Sequence, residues 1–146
     1  MSDFYTTQGA RLPAAGCVPV YLPYSSTPIA AGFPSPAEGY LEEYLSLDQH
    51  LIQDKESTVL LRCKGDSMID AHICAGDWLI VDRGRQAVSG DIVVAALDGE
   101  FTLKRLILRG QQVILQPENP AYQPIFVRPE QELSLFGVLT GLARRV

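Results

Sequence analysis

Asp91–Gly110 reads DIVVAALDGEFTLKRLILRG, two apolar and β-branched runs separated by Asp98-Gly99. That dipeptide is the strongest short-range hairpin signal, because a type I′ turn needs positive φ at both of its central residues. The stretch therefore predicts two antiparallel strands rather than a helix. In the second arm, strand alternation places Phe101, Leu103, Arg105 and Ile107 on one face. Thr102, Lys104, Leu106 and Leu108 share the other. A lysine thus lies on the same side as two leucines. Two fates are open to it. Its ammonium can snorkel to water at a sheet edge, or it can be desolvated, which lowers its pKa.

Runs of the same kind lie on both sides of the hairpin. TVLLRCKG (58–65), DWLIVD (77–82) and QQVILQPEN (111–119) are broken by Gly, Asp, Asn and Pro, and RGQQ (109–112) marks a further turn. The last run, ELSLFGVLTGLARRV (132–146), carries two internal glycines, which suits a bent or bulged strand. No βαβ alternation and no repeat is present. The expected fold is mainly β, an antiparallel domain over 58–146.

Before it, residues 1–31 are rich in Pro, Gly, Ala and Ser without helical period, and read as an extended N-terminal arm. Residues 32–57 read as a linker with a short helix. Ser35, Pro36 and Glu38 form a capping-box start, followed by Leu41, Tyr44 and Leu45 at i, i+3 and i+4. Ser46 and Gln49 offer the start of a second short turn.

The whole chain has 146 residues, enough for one domain with a core plus a tail. A net charge of -5 argues against a protein built to grip a phosphate backbone. Arg83–Arg85 and the terminal Arg144-Arg145 read as solvated edge residues, and the arm is too short for a helix-turn-helix domain. Direct sequence-specific DNA binding is not expected. Cys17, Cys63 and Cys74 are odd in number and lack a CxxC; with His72 near Cys74 as the only adjacent imidazole they make no zinc pattern. Reduced thiols, no bilayer-length apolar run and no signal pattern point to a soluble, cytoplasmic protein without a membrane anchor.

Upstream of the hairpin, KGDSMIDAHICAGDWLIVD (64–82) places Ser67 after a glycine and an aspartate, in a permissive turn. A serine hydroxyl needs a base before it is a useful nucleophile. His50 and His72 are the available imidazoles, and neither has an evident acid partner to orient it. Lys104 is the alternative, a usable base if burial brings its pKa toward neutrality. Backbone N–H groups at Ser67 and Met68 are candidates for an oxyanion hole. An SxxK arrangement is absent, because Asp70 stands where the lysine would be.

The motifs AAGFPSPAEGYLEEYLSLDQHLIQ (30–53), GDSMIDAHICAGDWLIVD (65–82), SGDIVVAALDGEFTLKRLILR (89–109) and GVLTGL (137–142) occur in order. Together they resemble the LexA/UmuD self-cleaving serine peptidase family, and its UmuD-like members in particular, from about Ile29 to the C-terminus. The resemblance implies Ser67 as nucleophile, Lys104 as general base and Ala31-Gly32 as the cleaved bond. Alanine before that glycine is common among the related repressors, where some UmuD-like chains carry cysteine. It further implies a homodimer, cleavage stimulated by RecA on single-stranded DNA in the SOS response, and a processed form acting with a UmuC-like Y-family translesion polymerase. No metal or organic cofactor is implied. A non-catalytic β-rich module that binds a polymerase partner is the rival expectation; a membrane signal peptidase and a phage-type repressor fit less well.

Overall fold

The computed structural model describes residues 18–34 and 43–146. They belong to two compact units, one within Arg11–Gln53 and the other containing Asp54–Val146. In the smaller unit, strands β1 (Leu22–Tyr24) and β2 (Glu43–Leu45) pair antiparallel, with Tyr24 opposite Glu43. The Tyr24 hydroxyl donates to the Glu43 carboxylate across the ladder. Helix α1 (Leu47–Leu51) follows, with Ser46 at its N-cap in an extended conformation.

This corrects the helix expected from Leu41, Tyr44 and Leu45: Tyr44 and Leu45 are in a strand, and the helix begins at Leu47. Three apolar residues at helical spacing are too few to outweigh a ladder with Leu22–Tyr24 across from them. The capping box at Ser35, Pro36 and Glu38, together with Leu41, lies outside the described residues, as does Cys17.

The larger unit is built on one antiparallel sheet. Its strands are β3 (Thr58–Arg62), β4 (Trp78–Asp82), β5 (Ile92–Leu97), β6 (Glu100–Arg109), β7 (Gln112–Gln116), β8 (Ile125–Val127) and β9 (Leu133–Ala143). Their order across the sheet is β3-β4-β9-β5-β6-β7-β8. The expected hairpin is β5–β6, with Leu97 facing Glu100 around Asp98 (φ 49°) and Gly99 (φ 83°). Both central residues have the positive φ that the turn requires. In the β6–β7 turn Gly110, at φ 59°, supplies a positive φ at the first central position alone.

The two faces of β6 feed different cores. Leu103 packs with Leu61, Met68, Ile73, Leu79, Val81 and Val94, whereas Leu106 packs with Val93, Ala95, Leu115 and Val138. Coverage of both sides explains why the hairpin strands are apolar at nearly every position rather than strictly alternating.

Strand β9 lies between β4 and β5, pairs with both, and bends to do so. Its register slips once against β5, where Gly137 and Leu135 face Val94 and Ala95, and once against β4, where Gly141 and Leu139 face Ile80 and Val81. Phe136 and Thr140 are the extra residues of these two bulges, each beside one of the glycines noted in the sequence. The first bulge turns Phe136 edge-on to Phe101 with ring centroids 5.7 Å apart. Gly137 has no room for a side chain: a Cβ there would stand 2.6 Å from Val81 Cγ1 and 2.9 Å from the Asp82 carbonyl oxygen. Gly137→Ala is accordingly expected to cost about 1–3 kcal/mol of stability, read as a lower urea midpoint with an unchanged slope.

Candidate functional site

The loop that carries Ser67 leaves β3 and turns at Gly65, whose φ of +82° favours a residue without Cβ. Asp66 to Ile69 close a turn, the Ile69 N–H donating to the Asp66 carbonyl at 3.2 Å. A single 3₁₀ turn, Ile69–Ala71, follows and ends on His72 in the left-handed region. Met68 is 2% exposed and belongs to the first core cluster. Burying it fixes the loop from below and leaves its neighbour Ser67 half-buried at the surface.

A second segment grips this loop from the side. The Glu118 N–H donates to the Ser67 carbonyl at 2.9 Å, and the Asp70 N–H to the Glu118 carbonyl at 2.8 Å. Asn119 Nδ2 donates to the Asp66 carbonyl at 2.9 Å, and the Tyr122 hydroxyl to Asp66 Oδ1 at 2.6 Å. Glu118 is also tied to β6, because Arg105 Nε donates to its Oε1 at 2.5 Å while Arg105 Nη1 bonds the Gly90 carbonyl. The serine loop and the strand bearing Lys104 are thereby braced against each other.

Lys104 is 8% exposed, and its ladder partner Val93 is fully buried. Its Nζ lies 3.1 Å from Ser67 Oγ, 2.7 Å from Thr102 Oγ1 and 3.1 Å from the Leu103 carbonyl oxygen. Burial lowers its pKa below the ordinary lysine value, with the nearby Cys63 opposing the fall. Of the two fates open to this lysine, desolvation is therefore the one realised. Three oxygens surround Nζ, enough for all three N–H bonds of the ammonium. Once uncharged, the amine keeps two N–H bonds for Thr102 Oγ1 and the Leu103 carbonyl, and its lone pair is left for the Ser67 hydroxyl. An amine held so is able to take the hydroxyl proton.

Both side chains open into a cleft of about 310 Å³, whose walls include Cys63, Met68, Phe101 and Tyr122. Burial also raises the Cys63 thiol pKa, the main effect there, with Asp77 and Cys74 adding to it. Neither the Ser67 nor the Met68 N–H donates to a backbone carbonyl among the described residues. Cys63 and Cys74 are free thiols, and no cluster of metal-ligating side chains occurs among the described residues. His50 sits in α1 of the smaller unit and His72 is exposed. Two of the basic residues read as solvated edges have structural partners: Arg144 Nη2 bonds Asp77 Oδ2 at 2.8 Å and the His72 carbonyl at 2.6 Å, and the Arg83 guanidinium lies over the Phe136 ring, 4.2 Å from its centroid.

Ala31 and Gly32 lie exposed in a bend of the smaller unit, near Ile29 (95% exposed) and Phe33 (93%). A Cβ on Gly32 would meet nothing within 4 Å, so its surroundings give no packing reason for glycine there. Sequence reading paired Ser67 with Lys104 and placed Thr102 on the lysine's face, but gave Thr102 no part to play. The hydroxyl two residues before the lysine, on the same side of a strand, was the signal for it. Asn119, Glu118 and Tyr122 carried no local signal, since their contacts with residues 66–70 bridge distant parts of the chain.

Comparison with known proteins bears on this site. The family model described as "Peptidase S24-like" matches residues 23–140. Protein SamA of Salmonella typhimurium is 44% identical over 115 residues, covering 79% of each chain. Protein ImpA of the same species is 41% identical over 121 residues, covering 79% of this chain and 78% of ImpA. LexA repressor 2 of Pseudomonas syringae pv. tomato is 47% identical over 117 residues, covering 80% of this chain but 57% of the repressor. No helix among the described residues is long and apolar enough to cross a membrane.

Proposed function

Because the chain belongs to the Peptidase S24-like family, a family of self-cleaving serine peptidases, we propose that it severs its own arm at Ala31-Gly32 with a Ser67–Lys104 dyad. The observation that carries this reading is the desolvated Lys104 amine at 3.1 Å from Ser67 Oγ in an open cleft. Uncharged Lys104 takes the hydroxyl proton as Oγ attacks the Ala31 carbonyl carbon. The oxyanion of the tetrahedral intermediate is met by the N–H groups of Ser67 and Met68. The intermediate collapses, the Ala31–Gly32 bond breaks, and the Lys104 ammonium returns the proton to the departing Gly32 amine. Water, deprotonated by Lys104, then hydrolyses the Ala31 ester and frees Ser67. The products are residues 1–31 and 32–146.

Tethering raises the effective concentration of the scissile bond at the cleft, in the same subunit or a partner. In this reading residues 1–31 are the cleavable arm, 32–57 the linker, and 58–146 the peptidase and dimerisation domain. The exposed bend at Ala31-Gly32, with glycine unforced by packing, suits a bond that must be approached closely by other backbone.

The biological reading is that of a UmuD-like protein. A cytoplasmic homodimer is cut when it meets RecA on single-stranded DNA, and the shortened dimer works with a UmuC-like Y-family translesion polymerase. The motif resemblance and the likeness to SamA and ImpA across most of each chain support it. The acidic net charge of -5 is consistent with action through proteins rather than by gripping DNA. The test is cleavage at neutral pH with RecA, single-stranded DNA and a non-hydrolysable ATP analogue. Loss of residues 1–31 only when the filament is complete is expected; a rate indifferent to the filament would contradict the RecA step.

A further inference from the structure

Two peptide groups place the N–H donors of the Ser67 turn, and each is held by its opposite end. In a planar trans peptide the carbonyl of one residue and the N–H of the next share a plane and point in opposite directions. No cis peptide occurs among the described residues. The Ser67 N–H is therefore aimed by whatever holds the Asp66 carbonyl, and the Met68 N–H by whatever holds the Ser67 carbonyl. The Ser67 carbonyl accepts from the backbone N–H of Glu118 at 2.9 Å. The Asp66 carbonyl accepts from Asn119 Nδ2 at 2.9 Å, as well as from the Ile69 N–H of its own turn at 3.2 Å. One short segment, Glu118-Asn119, thus grips both planes from the side away from the Ser67 and Met68 N–H groups.

We propose that Asn119 is a positioning residue for the oxyanion hole, acting through its amide hydrogen bond to the Asp66 carbonyl to aim the Ser67 N–H at the developing charge. This rests on the dyad reading above and adds a residue that touches neither substrate nor the reacting atoms. Asn119 has a second bond to be separated from the first: its Oδ1 accepts the Ala121 N–H at 2.9 Å, which shapes its own loop. Asn119→Asp keeps an acceptor for Ala121 and removes the donor to Asp66, whereas Asn119→Ala removes both.

The experiment is the first-order self-cleavage rate of the full chain as a function of pH, for wild type and both variants, with melting temperatures alongside. Losing a direct oxyanion donor costs about a hundred- to a thousandfold. Misaiming one is expected to slow both variants about ten- to a hundredfold at the alkaline plateau. The pH midpoint, set by Lys104, is expected to stay in place. A slow Asn119→Ala beside a wild-type Asn119→Asp would assign the residue to its own loop and overturn the proposal. A slow Asn119→Asp beside a wild-type Asn119→Ala would reveal a charge effect, with the same consequence. A moved midpoint would show action on the amine and would overturn it as well. If the wild type itself does not cut, the dyad reading fails, a result distinct from all of these.

Discussion

Ser67→Ala and Lys104→Met each slow self-cleavage at Ala31-Gly32 by at least about a hundredfold, measured as loss of the full-length band at alkaline pH. Removing Ser67 Oγ deletes the atom that forms the acyl bond, and among the described residues the one other hydroxyl hydrogen-bonded to Lys104 is that of Thr102, at 2.7 Å. Removing the amine leaves the serine with an unassisted proton, and general-base assistance of this kind is worth about a hundred- to ten-thousandfold. The two variants are expected to be equally dead rather than additive, because serine and lysine act in one step. Both should stay folded. Lys104→Met in particular should melt no lower than wild type, since the lowered pKa of Lys104 means that the fold bears a cost for its charge. That cost is full below the folded-state pKa, where folded and unfolded chains both hold the proton. It is relieved as pH rises through that value toward the ordinary lysine range. A Lys104→Met chain that cuts at the wild-type rate would favour the rival reading, a β-rich binding module with no use for the amine.

The second large effect is on pH. Below the pKa of Lys104 the uncharged fraction, and with it the cleavage rate, should rise about tenfold per pH unit and then level off. Desolvation is the main cause of the lowered pKa, so the plateau should begin below the value of about 10.4 typical of a free lysine. Across two pH units on the rising limb the rate changes by about a hundredfold. The measurement is the cleavage rate across neutral to alkaline buffers at constant ionic strength. A profile that is flat through this range, or one that turns near pH 6.5 as an imidazole would, assigns the proton to a group other than Lys104.

The hairpin, the bulged last strand and the side of β6 on which Lys104 sits were legible in the sequence because each depends on local rules. Asp98-Gly99 has few alternatives to a type I′ turn, and Gly137 and Gly141 mark the places where β9 bends. The proximity of Lys104 to Ser67 was not legible from alternation, which orders side chains along a strand but says nothing of the loop that comes over it. Motif resemblance supplied that pairing, and the 3.1 Å separation agrees with it. The Glu118–Tyr122 brace lay beyond reach for the same reason. Tyr44 and Leu45 misled because a three-residue strand and a helical turn share the same apolar spacing when the pairing partner is not known.

The most direct test is intact-mass spectrometry of wild-type and Ser67→Ala chains aged side by side at alkaline pH. Two new masses from the wild type alone, one ending at Ala31 and one beginning at Gly32, are the expected result. An identical cut in the Ser67→Ala chain, or a wild-type chain that stays whole, would contradict the account.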